Sequence, residues 1–79
     1  MQENLIPLHL LPLGRSGKVC SLTASDGARR RMMDLGFINN ATVEALLRSP
    51  SGDPTAYQIR GAVIALRSEE ADNILVELF

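Results

Sequence analysis

The chain has 79 residues, of which 46% are apolar and 22% are charged, and its eight Lys and Arg against nine Asp and Glu give a formal net charge of −1. This composition is typical of one small globular domain, and it argues against a second domain or a deep, self-enclosed active site. It also shows no overall basic excess of the kind that attracts nucleic acid or anionic lipid. We therefore expect residues 1–79 to form a single domain.

The amino-terminal residues do not resemble a targeting signal. Glu3 occupies a place where a secretory signal carries Lys or Arg. The apolar stretch 5–13 is interrupted by Pro7 and Pro12, and it is far shorter than the roughly 20 apolar residues of a membrane span. We expect a cytoplasmic protein without direct membrane insertion.

The first part of the chain is predicted to hold two short strands joined by a turn. Residues Leu8–Leu10 form the first strand, because Pro7 and Pro12 cannot donate to a sheet and suit the ends or edges of strands. Residues 14–17 form the turn. Residues 18–23 then form the second strand, since they are bounded by turn formers and include β-branched side chains.

The hydrophobic period changes over residues 25–35. Ala28, Met32 and Leu35 stand at i, i+4 and i+7, which places them on one face of an α-helix. The pattern predicts one helix over 25–35 with this face towards the core. Gly36 suits the left-handed conformation that commonly ends a helix.

After Gly36 the alternation of a strand returns. Asn39-Asn40 tolerates positive φ and forms a turn. Val43, Ala45 and Leu47 then alternate with polar residues, which predicts a strand with one buried face. Residues 50–54 are dense in turn formers and predict a hairpin loop longer than two residues.

The last third is predicted to add two strands, a short helix and a closing strand. Tyr57 and Ile59 mark the first of these strands, and a tight turn at Gly61 leads to the second, residues 62–66. The short helix is predicted over residues 68–73 and the closing strand over residues 74–79. Ser68 is expected to cap the short helix, with acidic residues at its positive end. The whole pattern indicates a mainly β fold, a small barrel or sandwich with one inserted helix.

No residue pattern points to catalysis or to a cofactor. Residues 14–18 look like a phosphate-binding loop, but only two residues separate the glycines and Val19 replaces the hydroxyl that would bind Mg²⁺. His9 is the only histidine, which excludes most Ser-His and Cys-His schemes, and the lone Cys20 excludes an intramolecular disulfide. We predict no catalytic residues and no cofactor.

The donor set for a metal is also small. His9 and Cys20 are the only soft ligands, whereas a zinc or ferrous site normally needs three or four such groups or several carboxylates. We therefore predict no metal site. The acidic residues Glu69, Glu70 and Asp72 leave one alternative open, a weak transition-metal-responsive regulatory domain.

Positive charge is concentrated in the middle of the chain. Residues 15–67 carry a net charge of +4, and Arg29, Arg30 and Arg31 form the strongest basic run. This run fits a solvated helix face with snorkelling stems, a docking surface, or the contact surface of a small nucleic-acid-binding barrel. Nucleic acid is the less favoured partner, because the chain has few aromatic residues for base stacking.

The side of the helix opposite the predicted core suggests a partner-binding surface. Helical residues follow one another at about 100°, so Arg30 and Met33 share a face away from Met32. Arg30 also stands four residues before Asp34, with which it can pair. An exposed Met beside Arg is a surface that adapts to protein partners, and Phe37 is expected to extend its apolar part. The predicted partner-binding residues are Arg30, Met33 and Phe37.

Three segments together resemble the FeoA family, the small cytoplasmic component of bacterial ferrous iron uptake. Residues 30–37 resemble its R-R-L-x-x-L-G-[LMF] helix end, residues 50–54 its P-x-G-D-P hairpin, and residues 60–71 its r-G-x-x-I-A-L-R-x-x-E-A segment. Their order and spacing agree over nearly the whole chain. Asn39-Asn40 replaces the usual Pro-Gly, and Ala62 replaces a larger residue.

The resemblance implies an SH3-like β-barrel carrying the inserted helix. It also implies a non-enzymatic, accessory or regulatory role as partner of FeoB, the membrane permease whose cytoplasmic part is a GTP-binding domain. Related domains occur at the carboxyl end of iron-dependent repressors, but these 79 residues hold no DNA-binding helix pair. Neither the residues nor the resemblance predicts an oligomeric state.

Overall fold

Antiparallel strands organise the part of the chain that the computed structural model describes, residues 5–79. The elements in chain order are β1 (Leu5–Pro7), a 3-10 turn (Leu8–Leu10), β2 (Ser16–Leu22), α1 (Asp26–Asp34), β3 (Thr42–Arg48), β4 (Thr55–Ile59), β5 (Ala62–Leu66), α2 (Ser68–Ala71) and β6 (Ile74–Leu78). The strands form one sheet in the order β1-β6-β2-β3-β4-β5. This architecture confirms the predicted mainly β class with a helix inserted between two strands. Within residues 5–79, no helix has the length and apolar character needed to cross a membrane.

The predicted first strand is misplaced. The strand is Leu5–Pro7, which pairs with β6, and Leu8–Leu10 is a 3-10 turn closed by the Leu11 N–H donating to the Leu8 carbonyl over 2.9 Å. Pro7 ends the edge strand, where its missing N–H costs no sheet hydrogen bond. The turn places Leu8 and Leu11 in the core, where both are fully buried. Apolar residues at this spacing suit a tight turn as well as a strand.

The turn after this segment is shorter than predicted, because β2 already begins at Ser16. Gly17 lies within the strand, where a Cβ would stand 2.8 Å from the carbonyl oxygen of Glu77 on β6. The two strands therefore approach so closely that only glycine fits at this position. Gly17, the second glycine of the segment that looks like a phosphate loop, thus has a packing role.

The inserted helix α1 matches its predicted position. The way the helix ends explains why the predicted exposure of Phe37 is wrong. Gly36 has φ +113°. Its N–H donates to Met33 O and the Phe37 N–H donates to Met32 O, both over 3.0 Å, which is the Schellman arrangement. This motif commonly brings the residue after the glycine against the last helical turn, and Met32 and Phe37 are both buried. Of the predicted inner face, Met32 is in the core, while Ala28 and Leu35 are half-buried.

Strand β3 departs from simple alternation. Val43 and Ala45 are fully buried, as predicted, but Leu47 is 60% exposed. The pairing with β4 shifts register between Ala45 and Leu47, so Leu46 is an extra residue in the ladder. One inserted residue moves every following side chain to the opposite face of a sheet. The prediction that Leu47 faces the core is therefore wrong.

The second half of the chain follows the predicted order, with corrections at the short helix. Arg60 and Gly61 have φ of +49° and +82° and form the two-residue turn between β4 and β5. Helix α2 is one turn, shorter than the predicted 68–73. Arg67 occupies its N-cap position, so Ser68 is the first helical residue and does not cap the helix.

Truncation of adjacent methionines tests the orientation of α1. Met32 is 2% exposed and Met33 is 44% exposed. We expect Met32→Ala to lower the free energy of unfolding by about 2–5 kcal/mol, because it leaves a cavity in the core. Met33→Ala, the matched control, should change it by less than about 0.5 kcal/mol. Urea denaturation of both variants checks this, and equal effects would contradict the orientation.

Candidate functional site

The basic run on α1 is divided between two roles. Arg31 points towards α2, where its Nη1 donates to Oε2 of Glu70 over 2.6 Å. The other carboxylate oxygen of Glu70 accepts the backbone N–H of Arg67 over 3.0 Å. Arg31 therefore links the two helices and is engaged within the domain.

Arg29, Arg30 and Met33 form what we call the α1 outer face. All three side chains are exposed, and neither arginine forms an ion pair within residues 5–79. The predicted Arg30–Asp34 pair is likewise absent from that part of the chain. The exposed sulfur-bearing side chain is thus flanked by two arginines whose guanidinium groups are available to a partner.

Two shallow clefts meet at the α1 outer face. One, of about 250 Å³, is lined by Ser21, Leu22, Arg29, Met33, Ile38 and Asn39. The other, of about 340 Å³, is lined by Asp26, Arg29, Arg30, Met33 and Asp34. Arg29 and Met33 border both clefts. A partner that contacts this face therefore meets a depression of mixed apolar and polar lining on one side and a charged depression on the other.

Phe37 does not belong to this surface, and its prediction as a partner-binding residue is wrong. Its side chain is fully buried, because the Schellman arrangement at the end of α1 brings the residue after Gly36 against the last helical turn. The apolar part of the surface comes instead from Leu22 on β2 and from Ile38, both of which are partly buried against the core. Residue spacing could not identify Leu22, because its position beside α1 depends on the packing of the helix against the sheet.

The hairpin loop between β3 and β4 connects to α2. Oδ1 of Asp53 accepts the backbone N–H of Ser68 over 2.7 Å. Ser49 and Ser51 hold the loop, since the Ser49 hydroxyl accepts the Asp53 N–H over 3.1 Å and the Ser51 hydroxyl donates to the Asp53 carbonyl over 3.0 Å. A carboxylate at a free N–H of a helix start is stabilising. Sequence reasoning missed this contact.

The acidic residues on and just after α2 are divided, since Glu69 and Asp72 line a shallow cleft with His9 and Glu70 lies apart from them. Glu70 is turned towards Arg31, while Oδ1 of Asp72 lies 3.2 Å from Nδ1 of His9 without the geometry of a hydrogen bond. Cys20 is half-buried, and its thiol lies 3.5 Å from the Lys18 carbonyl oxygen. Among residues 5–79, no three His, Cys, Asp or Glu side chains are grouped closely enough to hold a metal ion.

Within residues 5–79, two titratable side chains have shifted pKa values, and both have structural explanations. Burial raises the pKa of Tyr57, a core residue that is 1% exposed. The hydrogen bond from Arg31, and then the one from the Arg67 backbone, lowers the pKa of Glu70. Neither group stands in a cleft with a nucleophile, so neither shift indicates a reaction.

Comparison with known proteins finds a matching family model and solved structures with a similar fold. The family model described as the FeoA domain matches residues 6–78. The solution structure of FeoA from Chlorobium tepidum has a TM-score of 0.87 at 34% identity, covering 94% of this chain and 70% of that one. FeoA from Stenotrophomonas maltophilia complexed with zinc, described as a prokaryotic SH3 domain protein, has a TM-score of 0.80 at 34% identity, covering 89% and 87%.

A relative of a different architecture comes from Porphyromonas gingivalis. It is an Fe(2+) transport protein A/Fe(2+) transporter FeoB fusion protein, 36% identical over 50 residues. The matched segment is 63% of this chain and 6% of the fusion protein. The chain thus spans a small part of that relative's length.

The link between α1 and α2 predicts a pH-dependent contribution to stability. The pKa of Glu70 is lowered in the folded protein, so its contribution is present above the pKa of the unfolded chain and is lost as pH falls through the folded pKa. At neutral pH, Glu70→Gln should lower the free energy of unfolding by about 0.2–1 kcal/mol, the usual range of a partly exposed ion pair. Thermal unfolding at several pH values should show this difference vanish in acid.

Glu69→Gln is the matched control for this measurement. Glu69 is the exposed neighbour on the same helix turn and forms no ion pair within the described residues. Its substitution should leave the stability nearly unchanged across the same pH range. Equal, pH-independent losses in both variants would contradict the assigned role of Glu70.

Metal affinity can be measured directly. His9 and Cys20 do not share a ligand cluster in the described structure, and Glu70 is bound to Arg31 instead of joining Asp72 beside His9. We therefore expect no tight binding of Fe²⁺ or Zn²⁺ to the chain. Anaerobic isothermal titration calorimetry checks this, and one site per chain at micromolar affinity or better would contradict it. His9→Ala would then show whether the imidazole supplies that site.

Proposed function

The chain belongs to the FeoA family, and we propose that it acts in the cytoplasm as a non-enzymatic accessory protein that docks on the GTP-binding region of a FeoB-type permease. The family serves ferrous iron transport, and its members carry an SH3-like domain. The docking proposal draws support from the fusion protein of Porphyromonas gingivalis, in which the two components are one polypeptide. Covalent linkage is a common way to raise the effective concentration of two partners.

The α1 outer face is the surface that we assign to docking. Met33 is 44% exposed on a helix whose other methionine, Met32, is in the core. A flexible thioether fits irregular partner surfaces, and Arg is enriched among the residues that dominate interface energies. Arg29 and Arg30 flank it and are not engaged within residues 5–79. The exposed Arg-Met face, whose arginines form no ion pair within residues 5–79, is the single observation on which this choice of surface rests.

The charge pattern of this face favours a protein partner over nucleic acid. Asp26 and Asp34 line the same cleft as Arg29 and Arg30. Phosphate groups attracted by the arginines would also meet these carboxylates, and affinity for nucleic acid comes mainly from phosphate neutralisation. A protein surface that carries both positive and negative groups is complementary to the arginines and to the aspartates of this cleft.

The proposed role requires no catalytic step from this chain. The carboxylate with the lowered pKa, Glu70, is used to join two helices, and the phenol with the raised pKa, Tyr57, is used in the core. The chemistry of GTP hydrolysis is left to the permease, and this domain contributes a contact surface.

A double substitution tests the docking surface. Arg30→Glu with Met33→Asp reverses one charge and removes the exposed apolar group without touching the core. We expect the free energy of unfolding to change by less than about 1 kcal/mol, because both sites are exposed. Co-purification with the permease and growth that depends on ferrous iron uptake should both be lost.

A matched control lies in the turn before β2. Leu13 is 46% exposed, close to the value for Met33, and Arg15 is also exposed. Leu13→Asp with Arg15→Glu makes the same change of charge and polarity away from α1, and it should leave co-purification and growth intact. A folded α1 variant that still co-purifies and supports growth would overturn the assignment of this surface.

A further inference from the structure

Strand β5 is an edge of the sheet and pairs with β4 alone. The two-residue turn at Arg60 and Gly61 makes Ile59 and Ala62 the hydrogen-bonded pair next to the turn. Backbone groups alternate along a strand, so those of Val63 and Ala65 point away from β4. Within residues 5–79, no strand partner or turn contact occupies these groups.

The edge of β5 lacks the features that usually prevent pairing with another chain. Residues 62–66 are all apolar and contain no charge and no proline. Their register with β4 is continuous, with no bulge to twist the edge away. The opposite edge, β1, is three residues long and ends in Pro7. Natural edge strands are usually shortened, charged, bulged or covered, so β5 is the exception here.

We propose that β5 pairs with β5 of a second copy of this chain, antiparallel and centred on Ile64. In this register Val63 stands opposite Ala65 of the second copy and Ala65 stands opposite its Val63. Each of these pairs joins residues whose backbone groups point outward, so each exchanges both N–H···O bonds. Ala62 faces Leu66, so every opposed position within the strand is apolar and no like charges meet.

The surroundings of the strand fit the same register. Leu47, Ala56 and Ala65 form a cross-strand row on the outer face of the sheet. The second copy's Val63 would continue this row, and Val63 and Leu47 are 63% and 60% exposed in the single chain. The pairing thus covers exposed apolar surface on this face of the sheet.

Val63→Lys against Gln58→Lys tests the proposal. Gln58 lies on β4 directly opposite Val63, so the control adds the same charge to the same face one strand away from the edge. Sedimentation equilibrium of the full chain over a wide concentration range should show a monomer–dimer equilibrium. Because the two-fold symmetry places a lysine opposite Ala65 in each of the two hydrogen-bonded pairs, Val63→Lys should weaken dimerisation by roughly tenfold or more, and Gln58→Lys by much less. A wild-type chain that stays monomeric would overturn the proposal.

Hydrogen exchange locates the contact independently of these variants. As dimer forms, the amides of Val63 and Ala65 should become protected, because their N–H groups gain partners in the proposed pairing. Dimerisation without protection of these two amides would overturn it. The α1 variant Arg30→Glu with Met33→Asp should dimerise like the wild type, because the edge uses neither residue, so this inference and the docking proposal can fail separately.

Discussion

The orientation of α1 is the constraint on which the candidate surface depends. The side chain of Met32 anchors α1 in the core, and the side chain of Arg31 joins α1 to Glu70 on α2. A partly exposed ion pair of this kind contributes little to stability, so burial of Met32 supplies most of the free energy and the ion pair mainly selects the rotation of the helix. Because Met32 is buried and Arg31 is bound to Glu70, the side chain of Met33, about 100° around the helix from Met32, points outward.

Helix α2 extends this arrangement to the rest of the domain. Its first N–H is bound by Asp53 from the β3–β4 loop, and its third residue binds Arg31 from α1. The three segments that resemble the FeoA family therefore meet at one place in the fold. Their residue types are explained by these contacts: a carboxylate for a free helix N–H, and an Arg and a Glu for a link between two helices. These motif residues thus hold the domain together, whereas Arg30, which stands in the same motif as Arg31, is exposed on the α1 outer face.

The parts of the fold that could be predicted are those with local causes. The 3.6-residue period predicted α1, Gly36 predicted its end, and Gly61 predicted a tight turn, where the structure has a glycine with positive φ. The two errors have different causes. Leu47 faces outward because of an extra residue in the ladder with β4, which is a non-local cause, whereas Phe37 is buried by the local turn that follows Gly36, which helical spacing alone does not describe. Arg30 and Met33 were found by helical spacing alone, whereas Arg31 could not be separated from them until its contact with Glu70, 39 residues away, was known.

The size of the domain explains why its candidate surfaces lie outside rather than in a pocket. A chain this short buries only about 60% of its surface and uses nearly every buried side chain for one core. The two surfaces differ in chemistry. The α1 outer face offers side chains and so discriminates among partners, whereas the β5 edge offers backbone groups and depends on strand register. A two-fold dimer through β5 would carry two α1 outer faces, and a bivalent domain binds more tightly only where both faces can reach partner sites together. Dimerisation would then act on the docking step through geometry, without adding any contact to it.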